Sequence, residues 1–122
     1  MTDPTPDITV TVLGSGTCVP SLERSACALL LTTGGLRLLL DAGPGTMRRL
    51  LENGTRIHEV THLLLSHFHP DHSGELVPFL FANKYPDSSL RQTPLTLGGG
   101  KGLRRFFSAL QSAYGSWIDL GS

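Results

Sequence analysis

From Leu63 to Gly74 the chain reads LLLSHFHPDHSG, an apolar run that ends in three histidines and an aspartate within six positions. Residues 61–66 are apolar throughout the middle, the pattern of a strand covered on both faces. In extended backbone successive side chains alternate, so His67 and His69 project to one side and their imidazoles can converge on one cation. Pro70 ends the strand. Asp71 and His72 then fall where a helix begins, facing another direction and suited to a second cation or a water. Ligands commonly bind at such strand ends in α/β sheets, so this segment constrains both the architecture and the chemistry.

The remaining pattern supplies partners for that strand. Residues 8–13 are rich in β-branched side chains and stop at Gly14-Ser15-Gly16. The apolar runs 26–33 and 36–40 flank Gly34-Gly35 and read as a β-hairpin. Residues 46–52 suit a short helix closed by Asn53-Gly54. A second helix is expected from Ser73 to about Tyr85, its faces set by Leu76, Leu80 and Phe81 or by Phe79 and Asn83. A short strand follows at 95–97, then a helix over 101–114 with Leu103, Phe106, Phe107, Leu110 and Tyr114 on one face. Phe79, Phe81, Phe106, Phe107 and Trp117 are core candidates. The order predicts a layered α/β fold with a mixed sheet. Residues 1–7 read as a flexible lead-in, and 122 residues suit one domain.

Ten basic and ten acidic residues give a net charge of zero, so nothing global attracts nucleic acid or a membrane surface. Cys18 and Cys27 are too few for a disulfide framework and read as free thiols. Neither a secretory signal nor a run long enough to span a bilayer is visible. The expectation is a soluble cytoplasmic protein.

Neutral imidazole and carboxylate both suit Zn²⁺, with bonds of about 2.0–2.2 Å. A bound divalent ion lowers the pKa of its water to about 7, and two ions about 3.5–4 Å apart stabilise both attacking and leaving oxygens. Ions that close need ligands that close, which accounts for the crowding at 67–72.

HFHPDH resembles the H-x-H-x-D-H signature of the metallo-β-lactamase fold hydrolases. The stretches 13–31, 38–46, 61–82 and 98–107 are similar to the ribonuclease Z branch and its relatives, so the resemblance covers nearly the whole chain. It implies the N-terminal half of an αββα sandwich over residues 8–122, with a C-terminal half absent. It further implies two divalent ions, zinc or manganese. His67 and His69 would bind one ion, and Asp71 and His72 the other. Asp71 would also serve as general base or proton shuttle, and Asp41 of the DAG turn would steady the ligand loop. Ser15 and Thr17 are minor candidates for the substrate cleft.

The implied reaction is phosphodiester hydrolysis, with precursor tRNA as the best-known substrate and a homodimer as a frequent assembly. Hydrolysis of a small phosphodiester, aryl sulfate or lactone, or a non-catalytic metal-binding paralogue, are the alternatives. Pro70 stands where the ribonuclease Z pattern has glycine, which weakens the tRNA reading. The family's remaining ligands lie downstream, yet no histidine follows His72, and Asp87 and Asp119 lie in no matching motif. The chain alone is therefore expected to be inactive.

Overall fold

The computed structural model describes residues 7–85, 91 and 93–120. Five strands form one sheet in the order β1-β2-β3-β4-β5. They are β1 Ile8–Gly14, β2 Ala28–Thr33, β3 Leu36–Leu40, β4 His62–Leu65 and β5 Thr96–Gly99. The first three are antiparallel, with the expected hairpin at Gly34-Gly35, and β3, β4 and β5 run parallel. The mixed α/β sheet read from the sequence is the observed one. Of the expected lead-in, residues 1–6 lie outside the described part.

The register explains which side of the sheet carries the core. Thr11, Leu30, Leu39, Leu63 and Leu97 form one cross-strand row. Leu30, Leu39 and Leu63 of that row are buried with Leu50, Leu76, Phe79 and Leu80 from the helices. The opposite face carries Val10, Val12, Leu29, Leu31, Leu38, Leu40 and Leu64. There Val10 is 57% and Val12 61% exposed, and the others are half-buried. β4 is therefore covered on one face, not two: Leu63 and Leu65 are buried while His62 and Leu64 are half-buried.

The helices are α1 Thr46–Glu52, α2 Pro70–Ser73, α3 Leu76–Lys84 and α4 Leu103–Tyr114. The helix expected over 73–85 is thus two pieces. Residue 74 must be glycine at the break, since a Cβ there would lie 2.6 Å from the Pro70 carbonyl oxygen. Glu75 is turned aside to accept hydrogen bonds from the amides of Gly45 (3.0 Å) and Met47 (3.1 Å), which caps the start of α1. Pro78 sits in the first turn of α3, where its missing N–H has no helical acceptor to lose. Leu76, Phe79, Leu80 and Asn83 are buried.

Two aromatic expectations fail. Phe81 and Trp117 are exposed, and with Tyr85 they form a surface cluster whose ring centroids lie 4.8–5.8 Å apart. Phe81 falls on the outer side of α3 because Phe79 and Leu80 take the core. The strand expected at 95–97 instead runs on through Gly98 and Gly99 as the end of β5, where a Cβ on Gly98 would meet Leu64 Cδ2 at 2.5 Å.

Candidate metal centre

The site is built where β3 and β4 end side by side. After Leu40 the backbone enters a left-handed conformation at Asp41 (φ 64°), a region that aspartate tolerates better than most residues. That turn is a hub for three segments. The amide of Asp41 donates to Leu64 O (2.8 Å), that of Ala42 to His72 O (2.7 Å) and that of Gly43 to Cys27 O (3.2 Å). Gly43 allows the close approach: a Cβ there would lie 2.3 Å from the Asp71 carbonyl oxygen and 2.7 Å from Ala26 Cβ.

Beyond β4 the backbone stays open through Ser66–His69, and α2 begins at Pro70. Phe68 stacks on Phe106 of α4 with ring centroids 4.7 Å apart and planes 13° from parallel. Anchoring Phe68 inward turns its neighbours His67 and His69 outward together, with ring centroids 4.7 Å apart. Ligating atoms of His67, His69 and Asp71 all lie within 4.8 Å of one another. The grouping therefore differs from the pairwise division read from the sequence, because the first turn of α2 carries the Asp71 carboxylate back toward the first two histidines. His72 lies against the same group, its ring 4.0 Å from that of His67.

Asp41 organises the rest. Its Oδ1 accepts the Ser66 amide (2.7 Å), and its Oδ2 accepts both the Ser66 hydroxyl (2.7 Å) and His72 Nδ1 (2.8 Å). Burial alone would raise this carboxyl; the bonds from His72 and Ser66 outweigh it and hold Asp41 below its ordinary value. A carboxylate only accepts, so Nδ1 of His72 is the donor, and in the neutral ring the lone pair falls on Nε2. That Nε2 lies 3.6 Å from Asp71 Oδ2.

Cys27 forms a further group with Asp41 and His72. Burial, with the charges of Asp41 and Asp71, pushes its thiol up. Cys18 and Cys27 are both free.

Thr17 lines a cleft of 380 Å³ with Cys18, Arg24, Pro70 and Asp71. Its hydroxyl oxygen accepts the Val19 amide (3.2 Å), whereas Ser15 is exposed and outside that lining. Asp87 lies outside the described residues. Sequence reasoning passed over Ser66, Arg24 and Cys27; for Ser66 the available signal was a hydroxyl residue directly before the first histidine.

The donor chemistry fits divalent cations. Two imidazoles and a carboxylate converge, and the bond from His72 Nδ1 to Asp41 leaves Nε2 as the ring nitrogen not engaged by that carboxylate.

The family model described as anti-Pycsar protein Apyc1 matches residues 8–97. The chain belongs to this family. Ribonuclease Z of Methanopyrus kandleri is 44% identical to this Apyc1-family chain over 72 residues, 59% of the chain and 26% of the relative. Human tRNase Z, short form, has a TM-score of 0.73 and 30% identity, covering 86% of the chain and 40% of that structure. The metallo-beta-lactamase fold protein YhfI from Bacillus subtilis has a TM-score of 0.72 and 25% identity, covering 86% and 42%. The fold is thus the metallo-β-lactamase fold in part, ribonuclease Z-like, and the Apyc1-family chain spans less than half the length of these relatives. Among its described residues no helix is long and apolar enough to cross a membrane.

Proposed function

We propose that this chain carries the first cation-binding half of a metal-dependent hydrolase, and that the reaction is phosphodiester hydrolysis. The observation that carries this reading is the convergence of His67, His69 and Asp71 at the sheet end, with His72 held against them by Asp41. His67, His69 and Asp71 would hold one divalent ion, and His72, with Asp71 beside it, would face a second. Zinc suits these donors best, and manganese would also be accepted. Such ions supply Lewis acidity, acidifying water and stabilising negative charge on a phosphoryl oxygen.

The chain's own residues then position and move protons. Asp71 is the carboxylate open to the cleft and would accept the proton released by an attacking water. Arg24, on the wall of the same cleft, gives a cation for a substrate phosphate. Asp41 keeps the His72 ring in one orientation while charge changes around it.

Relatives named ribonuclease Z and tRNase Z support a precursor tRNA as substrate. Pro70, at the first position of α2, favours a second reading. It replaces the glycine of the ribonuclease Z pattern on the rim of the cleft and points to a smaller phosphodiester or another ester. Residues 8–122 would then be the N-terminal part of the catalytic domain, in the cytoplasm, with dimerisation a property of the longer protein. Because no histidine follows His72, the chain alone is expected to bind ions without turnover.

The test is metal content and hydrolysis of bis(p-nitrophenyl) phosphate, in this chain and in a version extended to the relatives' length. Replacing His67 and His69 with alanine should abolish bound zinc in both versions and turnover in the extended one. Undiminished zinc in the double variant would overturn the reading.

A further inference from the structure

Ser66 lies at the centre of a hydrogen-bonded chain that joins two of the cation-facing histidines. His67 Nδ1 lies 3.0 Å from Ser66 Oγ, Ser66 Oγ lies 2.7 Å from Asp41 Oδ2, and the same oxygen lies 2.8 Å from His72 Nδ1. The direction of every proton in this chain follows from donor capacity. A carboxylate only accepts, so both the Ser66 hydroxyl and the His72 Nδ1–H must donate to Asp41. A hydroxyl has one proton, and Ser66 has given it to Asp41. His67 Nδ1 therefore has to be the donor to Ser66 Oγ. Nδ1 is thus the protonated nitrogen of His67, and in the neutral ring the lone pair falls on Nε2, the same tautomer that Asp41 selects directly in His72.

We propose that Ser66 is a positioning residue of the metal centre, relaying the Asp41 carboxylate to His67 so that one buried charge sets the tautomer and orientation of both imidazoles. The inference rests on the reading that His67 and His72 face cations, and it adds how they are prepared for them. The backbone amide of Ser66 also donates to Asp41 Oδ1 (2.7 Å), so the residue is held at two points and its hydroxyl has no freedom to serve another acceptor. Without the hydroxyl, His67 Nδ1 loses its acceptor. The neutral ring then redistributes its proton between the two nitrogens, and part of the population presents N–H instead of a lone pair. Removing such an outer partner of a metal-bound histidine typically weakens ion affinity about 10–100-fold. His69 has no part in this relay and serves as the internal control.

The test combines metal-free and metal-loaded measurements on the 122-residue chain with Ser66→Ala, Ser66→Thr and the unsubstituted protein. In zinc-free protein, ¹⁵N shifts of the imidazole nitrogens should report the Nδ1–H tautomer for both His67 and His72. Ser66→Ala should move His67 toward a tautomer mixture and leave His72 unchanged. Zinc affinity should fall about 10–100-fold in Ser66→Ala and recover to within threefold in Ser66→Thr, which restores the hydroxyl. If the unsubstituted chain binds zinc but Ser66→Ala leaves the His67 tautomer and the affinity unaltered, the relay is wrong and the metal centre stands. If the unsubstituted chain binds no zinc, the metal reading itself falls and takes this inference with it. If Ser66→Ala loses affinity and Ser66→Thr does not restore it, the hydroxyl is not the agent and the proposal is overturned.

Discussion

His72 Nδ1 lies 2.8 Å from Asp41 Oδ2 across 31 positions of sequence, joining the first turn of α2 to the end of β3. The same carboxylate takes the amide and hydroxyl of Ser66. Asp41→Asn keeps the left-handed backbone accessible but presents an amide N–H where an acceptor is required, so at least one of these bonds is lost. A cost of about 2 kcal/mol is expected, as for a hydrogen bond to a charged group. Asp41→Ala should cost about 1 kcal/mol more, because alanine is strained at φ 64°. The pH dependence has a definite sign. Asp41 is held below its ordinary value, so its contribution is complete above about pH 4 and is lost as pH falls through the lowered value. Urea unfolding of metal-free protein should show Asp41→Asn losing less stability than the unsubstituted chain as pH is taken down through that range.

The DAG turn was legible as a turn from its small residues at a strand end, whereas the role of Asp41 in steadying the ligand loop came only from the resemblance to the metallo-β-lactamase fold hydrolases. The acceptors of its backbone amides were not legible. They lie at Cys27, Leu64 and His72, and such pairings depend on which strands become neighbours. The same limit explains the grouping of the ligands. Alternation along an extended segment correctly put His67 and His69 together, but the helical turn after Pro70 returns Asp71 to them, and no period in the sequence encodes that reversal. The β-branched residues of β1 and the apolar run of β2 were readable as strands. That one apolar face would be bare while the other is buried needed the register.

Gly43 is where the three segments come closest. A methyl group there would lie 2.3 Å from a backbone oxygen and 2.7 Å from Ala26 Cβ, and backbone cannot rotate aside as a side-chain tip can. Gly43→Ala should therefore cost at least about 2 kcal/mol and weaken zinc binding, because relief of the clash pushes the Asp71 segment away from the Asp41 turn. Gly54, with φ 81° and open space around its Cα, is the comparison. Gly54→Ala should cost about 1 kcal/mol of backbone strain and leave ion affinity alone. Equal loss of affinity in both variants would refute the special role of the turn.

Phe68 is the inward anchor between two outward histidines, stacked on Phe106. Phe68→Ala removes that anchor and is expected to cost about 1–3 kcal/mol. Its larger effect should be on zinc, since a loop without its fixed point no longer holds His67 and His69 in register. Phe68→Leu keeps apolar volume against Phe106 and should restore most of the affinity. Calorimetric zinc titration of the two variants separates anchoring from a general loss of stability.

The bare sheet face gives the last expectation. Ile8, Val10 and Val12 are 67%, 57% and 61% exposed on β1, at an edge of the sheet beside the half-buried Leu29 and Leu31. A contiguous apolar surface on an edge strand invites association. Val10→Lys with Val12→Lys should change stability by no more than about 0.5 kcal/mol each, since little burial is lost, and should reduce concentration-dependent self-association in sedimentation velocity. A single lysine in the opposite row, at fully buried Leu39, should instead abolish folding, because it places an unpaired charge in the core. If the two lysines on β1 unfold the chain as well, that face is packed in the isolated protein and the one-sided core described above is wrong.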